Sequence, residues 1–227
     1  MPSLSQLLTE HHQVLVLDAS SQSIQVGLVR ASGPALWRST PDEAGRGIFA
    51  SVAGILTEAS LSLHQVDAFI FCEGPGSMLG TRTVAMAVRT WQTLKARPAY
   101  AYQSLALAGA FEWHRHGLRA FTVIADARRD TWHCQSIGAD GELLPLRRIP
   151  VAELPAGERV TPDHFRAWST PPHPTAVCAY DLEPMFSALT ATDLFHLADA
   201  PDAFQHEAPE YKRWPAQIHS IATADKK

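Results

Sequence analysis

Two stretches of this 227-residue chain set an aspartate at the end of an apolar run and just before a turn: Leu17-Asp18-Ala19-Ser20-Ser21 and Ala125-Asp126-Ala127-Arg128-Arg129. Strand ends are where ligands of open α/β sheets gather, so an aspartate in such a place could stand beside a metal. It could equally cap its own turn, and for Asp18 both roles are open. Between the two lies Glu73-Gly74-Pro75-Gly76-Ser77-Met78-Leu79-Gly80, whose three glycines require a sharp turn or a close backbone approach. Ser77 does not sit in a Gly-x-Ser-x-Gly nucleophile elbow, because its glycines stand one before and three after it. Its hydroxyl is better placed to cap the following helix. Arg82 and the adjacent Arg128 and Arg129 could converge on an anionic ligand or on a partner's carboxylates, with a solvated basic edge as the alternative.

Metal chemistry finds little support. The chain has 11 histidines, but none are spaced His-x-x-x-His, the placement that brings two rings of one helix to one ion. Cys72, Cys134 and Cys178 are far apart in apolar runs and read as buried reduced thiols rather than zinc ligands. The formal charge is −4 from 19 basic and 23 acidic residues, which argues against gripping nucleic acid unaided. No apolar run approaches the roughly 18 residues of a membrane span, and the first residues lack a basic stretch followed by an apolar one. A cytoplasmic location is expected.

The elements that must position these loops follow from periodicity. Three short strands are expected over 14–39, then a helix from about 43 to 60 with Asp42 as cap and Ile48, Val52, Ile55, Leu56 and Ala59 on one face. A buried strand over 67–72 leads into the Gly-rich turn and a second helix from about 81 to 95, carrying Val84, Val88, Trp91 and Leu94. A strand over 99–102 and a helix over 104–115 complete the order β-β-β-α-β-α-β-α. The second half restarts with strands at 121–125, 131–137 and 143–149, a short strand near 176–179, and helices near 181–189 and 191–198. Two halves of unequal quality imply an internally duplicated α/β fold of two lobes, 1–117 and 118–227.

In the actin, sugar kinase and chaperone ATPase superfamily the first loop reads Asp-x-Gly-x-Thr/Ser and wraps the phosphates. Ala19-Ser20-Ser21 has no glycine there. The last glycine of the chain is Gly157, so no Gly-rich adenosine turn can exist in 158–227. The chain therefore reads as having that architecture without the parts that hold and cleave ATP unaided.

Gly74-Pro75-Gly76-Ser77-Met78-Leu79-Gly80-Thr81-Arg82 resembles the GPGSFTGxR signature of the TsaB (YeaZ) family. Asp126-Ala127-Arg128 resembles its DAR element, Leu17-Asp18-Ala19-Ser20-Ser21 its opening turn, and Pro209-Glu210-Tyr211-Lys212-Arg213 its C-terminal P-x-Y-x-R. The resemblance implies the two-lobed actin-like (ribonuclease H-like) fold with a degenerate second lobe, in a non-catalytic subunit with no catalytic residue and no intrinsic cofactor or metal. It implies pairing with a TsaD-like transferase and a TsaE-like ATPase in tRNA threonylcarbamoyladenosine synthesis. The tRNA is reached only through that complex, a homodimer forms when the chain is alone, and ATP or ADP is allowed at the partner interface. The contact is expected on the helices at 43–60 and 81–95, with Val52, Ile55, Val88 and Trp91 as apolar contacts and Arg82 as the polar one. Asp18, Ser20, Gly74, Pro75, Gly76, Ser77, Gly80, Asp126 and Arg128 form the motif loops. The sequence departs from the family where Met78 and Leu79 replace Phe-Thr, where Val84, Met86 and Thr90 replace helix glycines, and where Asp130-Thr131-Trp132-His133 replaces Gly-Glu-Val-Tyr. Larger side chains on a helix push a neighbour away. Two other readings stay open: a small-molecule kinase or ATPase using Asp18 and Asp126, and a homodimeric structural protein without a tRNA role. A peptidase lacks a constellation of nucleophile, base and metal.

Overall fold

The computed structural model describes residues 1–41, 44–117 and 120–205. Asp42 and the Pro209–Arg213 motif lie outside them. The chain runs α1 (Leu4–Glu10), β1 (Gln13–Asp18), β2 (Ile24–Arg30), β3 (Leu36–Thr40), α2 (Ala44–Glu58), β4 (Ala68–Gly74), α3 (Met78–Leu94), β5 (Ala99–Gln103) and α4 (Ser104–His116). It continues with β6 (Phe121–Asp126), β7 (Thr131–Ile137), β8 (Arg147–Pro150), β9 (Arg159–Pro162), β10 (Ala176–Cys178), α5 (Leu182–Ala188) and β11 (His196–Leu197).

The strands form two sheets built on one plan. The first has the order β3-β2-β1-β4-β5, with β11 added beyond β5, and the second has the order β8-β7-β6-β9-β10. In each, the first three strands of the chain pair antiparallel and the last two join the sheet parallel. The expected duplication is thus a repeat of strand order and strand sense. It also shows what the second half has lost. The helix after the fifth strand is kept in both, as α4 and α5, whereas a 3-10 turn at Val151–Glu153 and the irregular stretch 163–175 stand where the first half has α2 and α3.

Burial divides the molecule into two layers of core. One face of the first sheet buries Leu15, Leu17, Phe69 and Phe71 against Ile48, Ile55, Val84 and Val88 of α2 and α3. The other face joins α4, α5 and the second sheet in a single cluster that runs from Val14 and Val16 through Leu105 and Phe111 to Val123, Val160 and Phe186. Gly109 of α4 lies so close to the second sheet that a Cβ there would fall 2.6 Å from Ile137 Cδ1. Cys72, Cys134 and Cys178 are buried free thiols.

Several expectations need correction. The start of the chain, ahead of the first expected strand, forms α1, because Ser3 and Gln6 make a capping box and Leu4 and Leu7 are buried. α3 begins at Met78, since the Ser77 hydroxyl accepts from Gly80 N at 3.3 Å. The strand expected over 143–149 is paired in β8 only from Arg147, with one isolated bridge at Leu143. β9 carried too short an apolar run to be foreseen. No helix forms near 191–198; His196 and Leu197 pair antiparallel with Ala101 and Tyr100, so this segment of the second half closes the edge of the first sheet. An available strand edge outweighed local helical propensity.

Candidate functional site

The Gly-rich turn is shaped by close contact with a neighbouring loop. A Cβ on Gly80 would stand 1.9 Å from Ala19 O, and one on Gly76 would stand 2.3 Å from Ser20 O. Ser77 N also donates to Ser20 O at 2.7 Å. The glycines thus seat the start of α3 directly on the loop that follows β1.

That loop is organised by Asp18, which is fully buried. Its Oδ1 accepts from the Ser20 N–H and from the Ser20 hydroxyl, both at 2.7 Å. Its Oδ2 accepts from the Tyr102 hydroxyl at 2.6 Å and the Tyr180 hydroxyl at 2.7 Å. Burial and, after it, the Asp18 charge push both tyrosines well above the ordinary phenol value. Burial and Asp18 do the same to the Cys72 thiol. Four donors satisfy the carboxylate, so of the two roles open in the sequence the structure assigns Asp18 the turn and a bond across the lobes. Gln25 of β2 repeats that crossing: its amide donates to Tyr180 O at 3.0 Å and accepts from Leu182 N at 2.9 Å. Tyr102, Tyr180 and Gln25 were not foreseen as members of this cluster. An isolated tyrosine or glutamine in a sequence carries no sign of a distant partner.

The other loops meet in a cleft of about 490 Å³ between the two sheets. Gly74, Pro75 and Gly76 line one wall with Arg82; Asp126, Arg128 and Arg129 line the other. Asp126 acts as a clamp. Its Oδ1 accepts from Arg128 N at 2.6 Å, and its Oδ2 accepts from Trp168 N at 2.8 Å and Ser169 N at 2.6 Å. Burial raises its pKa, but the three backbone donors outweigh it and the carboxyl ends below its ordinary value. Ser20 and Ser77 are spent in the turn and in the helix cap. Among the described residues, no group of three or more His, Cys, Asp and Glu is placed to hold a metal ion.

The helix pair presents a second surface. Val52, Ile55, Val88 and Trp91 are buried in the core beneath α2 and α3, so they are not surface contacts. Helical periodicity picked them out because they form the apolar stripe, and an apolar stripe packs on its own sheet first. The apolar side chains left outside are Phe49, Met78, Leu79, Met86 and Leu94, between 47% and 75% exposed. Beside them Thr83, Thr90 and Thr93 donate their hydroxyls to Leu79 O, Met86 O and Arg89 O one turn back. Those hydroxyls are satisfied within the helix, so covering the face strands none of them. Arg82 is exposed at the head of α3, where the helix face meets the cleft.

The strand order, the repeated lobes and the interlobe cleft define the actin-like ATPase and sugar-kinase architecture. The solved structures with this fold include YeaZ from Pseudomonas aeruginosa, at 23% identity over 78% of this chain and 90% of that one, TM-score 0.60. Another is an uncharacterized protein with similarity to peptidase YeaZ from Pseudomonas aeruginosa, at 24% identity over 78% of this chain and 89% of that one, TM-score 0.60. No family model and no curated protein matches the sequence. No described helix is long and apolar enough to cross a membrane.

Proposed function

We propose that this chain is a TsaB-like (YeaZ-like) accessory subunit of tRNA threonylcarbamoyladenosine synthesis in the cytoplasm. In this reading it is non-catalytic and binds and activates a TsaD-like transferase through the exposed face of α2 and α3. A TsaE-like ATPase and tRNA join through the complex, the partner interface admits ATP or ADP, and two copies pair through the same face when no partner is present. The observation that carries the reading is the apolar ridge of Phe49, Leu79 and Met86, exposed beside hydroxyls that need no water. The YeaZ-like fold and the seating of the Gly-rich turn on the Asp18 loop support it.

Size-exclusion chromatography with light scattering tests the proposal on the chain alone and mixed with the TsaD of the same organism. A heterodimer is expected, and Met86→Glu should abolish it while leaving the circular dichroism unchanged. A chain that never joins TsaD overturns the reading, and a homodimer persisting in its presence would favour a structural role without tRNA. A kinase or ATPase would need Asp18 to offer an oxygen to a metal ion or to take a proton from an attacking hydroxyl, and its four donors argue against that.

A further inference from the structure

The cleft carries a charge pattern beyond the apolar face of α2 and α3 that the proposed partner would cover. Arg82 comes from near the start of α3, Arg128 and Arg129 from the turn after β6, and Arg148 from β8, and all four line the same cleft. Two carboxylates line it as well, and each of their oxygens already has a partner other than these arginines. Asp126 accepts the three backbone N–H groups described above. Glu73 accepts from Gln103 Nε2 at 3.1 Å and faces His196 Nε2 at 3.3 Å. Among the described residues none of the four guanidinium groups has an ion-pair partner.

Two of the four are already held. The Arg128 guanidinium lies 4.1 Å from the centre of the Trp168 ring. Arg148 donates Nε to Thr131 Oγ1 at 2.9 Å and Nη2 to Ala127 O at 3.2 Å, which leaves its Nη1 donors unspent. The backbone that supplies two of these arginines is itself unusual. Arg128, Arg129 and Asp130 take φ of 66°, 52° and 57° in succession, a left-handed run without a single glycine. Four bonds hold it: Thr131 N and Oγ1 donate to Arg128 O, Thr131 O accepts from Ala127 N, and Asp130 O accepts from Val151 N.

We propose that this cleft binds a phosphate dianion, either free or as the end group of a small phosphorylated compound. Guanidinium groups arriving from three elements suit a tetrahedral ion of charge near −2 with three acceptor oxygens, whereas a planar carboxylate is satisfied by one fork. The volume is that of a small-molecule site. The proposal is independent of any transferase partner and can be tested on the chain alone.

Calorimetric titration of the full-length chain at low salt with inorganic phosphate, glycerol 3-phosphate and malonate would decide it. Binding of one phosphate probe with a Kd below about 1 mM is expected, weakened about tenfold or more by Arg128→Gln and by Arg148→Gln. Arg89→Gln, exposed on α3 and away from the cleft lining, should change nothing. Arg129→Gln keeps the test open if either of the first two variants fails to fold. Tighter binding of glycerol 3-phosphate identifies a phosphorylated compound, and equal or tighter binding of inorganic phosphate identifies the free ion. Malonate binding as tightly as phosphate, no binding of either phosphate probe, or equal affinity in the folded cleft variants and the parent would overturn the proposal.

Discussion

At the scale of single residues, Asp18 does the work of a structural bracket with a side chain that its position would have suited to a metal. A buried carboxylate with four donors is stable only while all four are present. Replacing it by alanine leaves two buried phenol hydroxyls and the Ser20 hydroxyl without their acceptor. Asp18→Ala should therefore cost about 3 kcal/mol in urea unfolding, and Tyr180→Phe about 1–2 kcal/mol. An Asp18→Ala protein as stable as the parent would refute the bracket. Gly80 makes the same point from the backbone side. Alanine there would drive a methyl into Ala19 O, where the chain cannot yield, so Gly80→Ala should lose about 3 kcal/mol. An unchanged midpoint would mean that the turn can lift off the loop freely.

At the scale of elements, α2 and α3 each have two faces with different duties. The inner face fills the core of the first sheet with Ile48, Ile55, Val84 and Val88, all without exposed surface. The outer face leaves Met86 and its neighbours in solvent. Ile55→Ala should cost about 3 kcal/mol by opening a cavity, whereas Met86→Ala should stay within about 0.5 kcal/mol. The reverse result would exchange the core and contact assignments of the two residues. Helical spacing identified both helices and their apolar stripe, because a 3.6-residue period is a property of the sequence. It offered Val52, Ile55, Val88 and Trp91 as surface contacts for the same reason, since the strongest stripe is the one that buries itself.

At the scale of the whole molecule, β11 ties the second half to the edge of the first sheet, and His196 in that strand pairs with Glu73 at the head of the cleft wall. The hydrogen bond and charge of Glu73 raise the His196 pKa above 6.5, against a smaller opposing effect of burial. A raised folded-state pKa contributes stability that is complete below the unfolded value, near 6.5, and is lost as pH climbs through the folded value. His196→Asn should thus be less stable than the parent at pH 5.5–6 and match it near pH 9. The gap should be about 0.5 kcal/mol, because the histidine is 42% exposed and solvent screens the pair. A gap that widened with rising pH would mean that the pair is not closed in solution.

The sequence by itself determined the class of fold, the duplication, the run of elements from β1 to α4 and the glycine turn, because periodicity, capping and the cost of glycine act over a few residues. It also placed Asp126 and Arg128 at a strand end, where the structure finds them lining a cleft. Tertiary structure alone decided that Tyr102, Tyr180 and Gln25 gather around the Asp18 loop, that Arg148 and Trp168 join Arg82 and Arg128, and that His196 crosses back to the first sheet. Except for Gln25, which pairs with Asp18 across the β1–β2 hairpin, those partners lie tens to more than a hundred residues apart. Their meeting depends on how two sheets pack, and no local pattern in the chain encodes it.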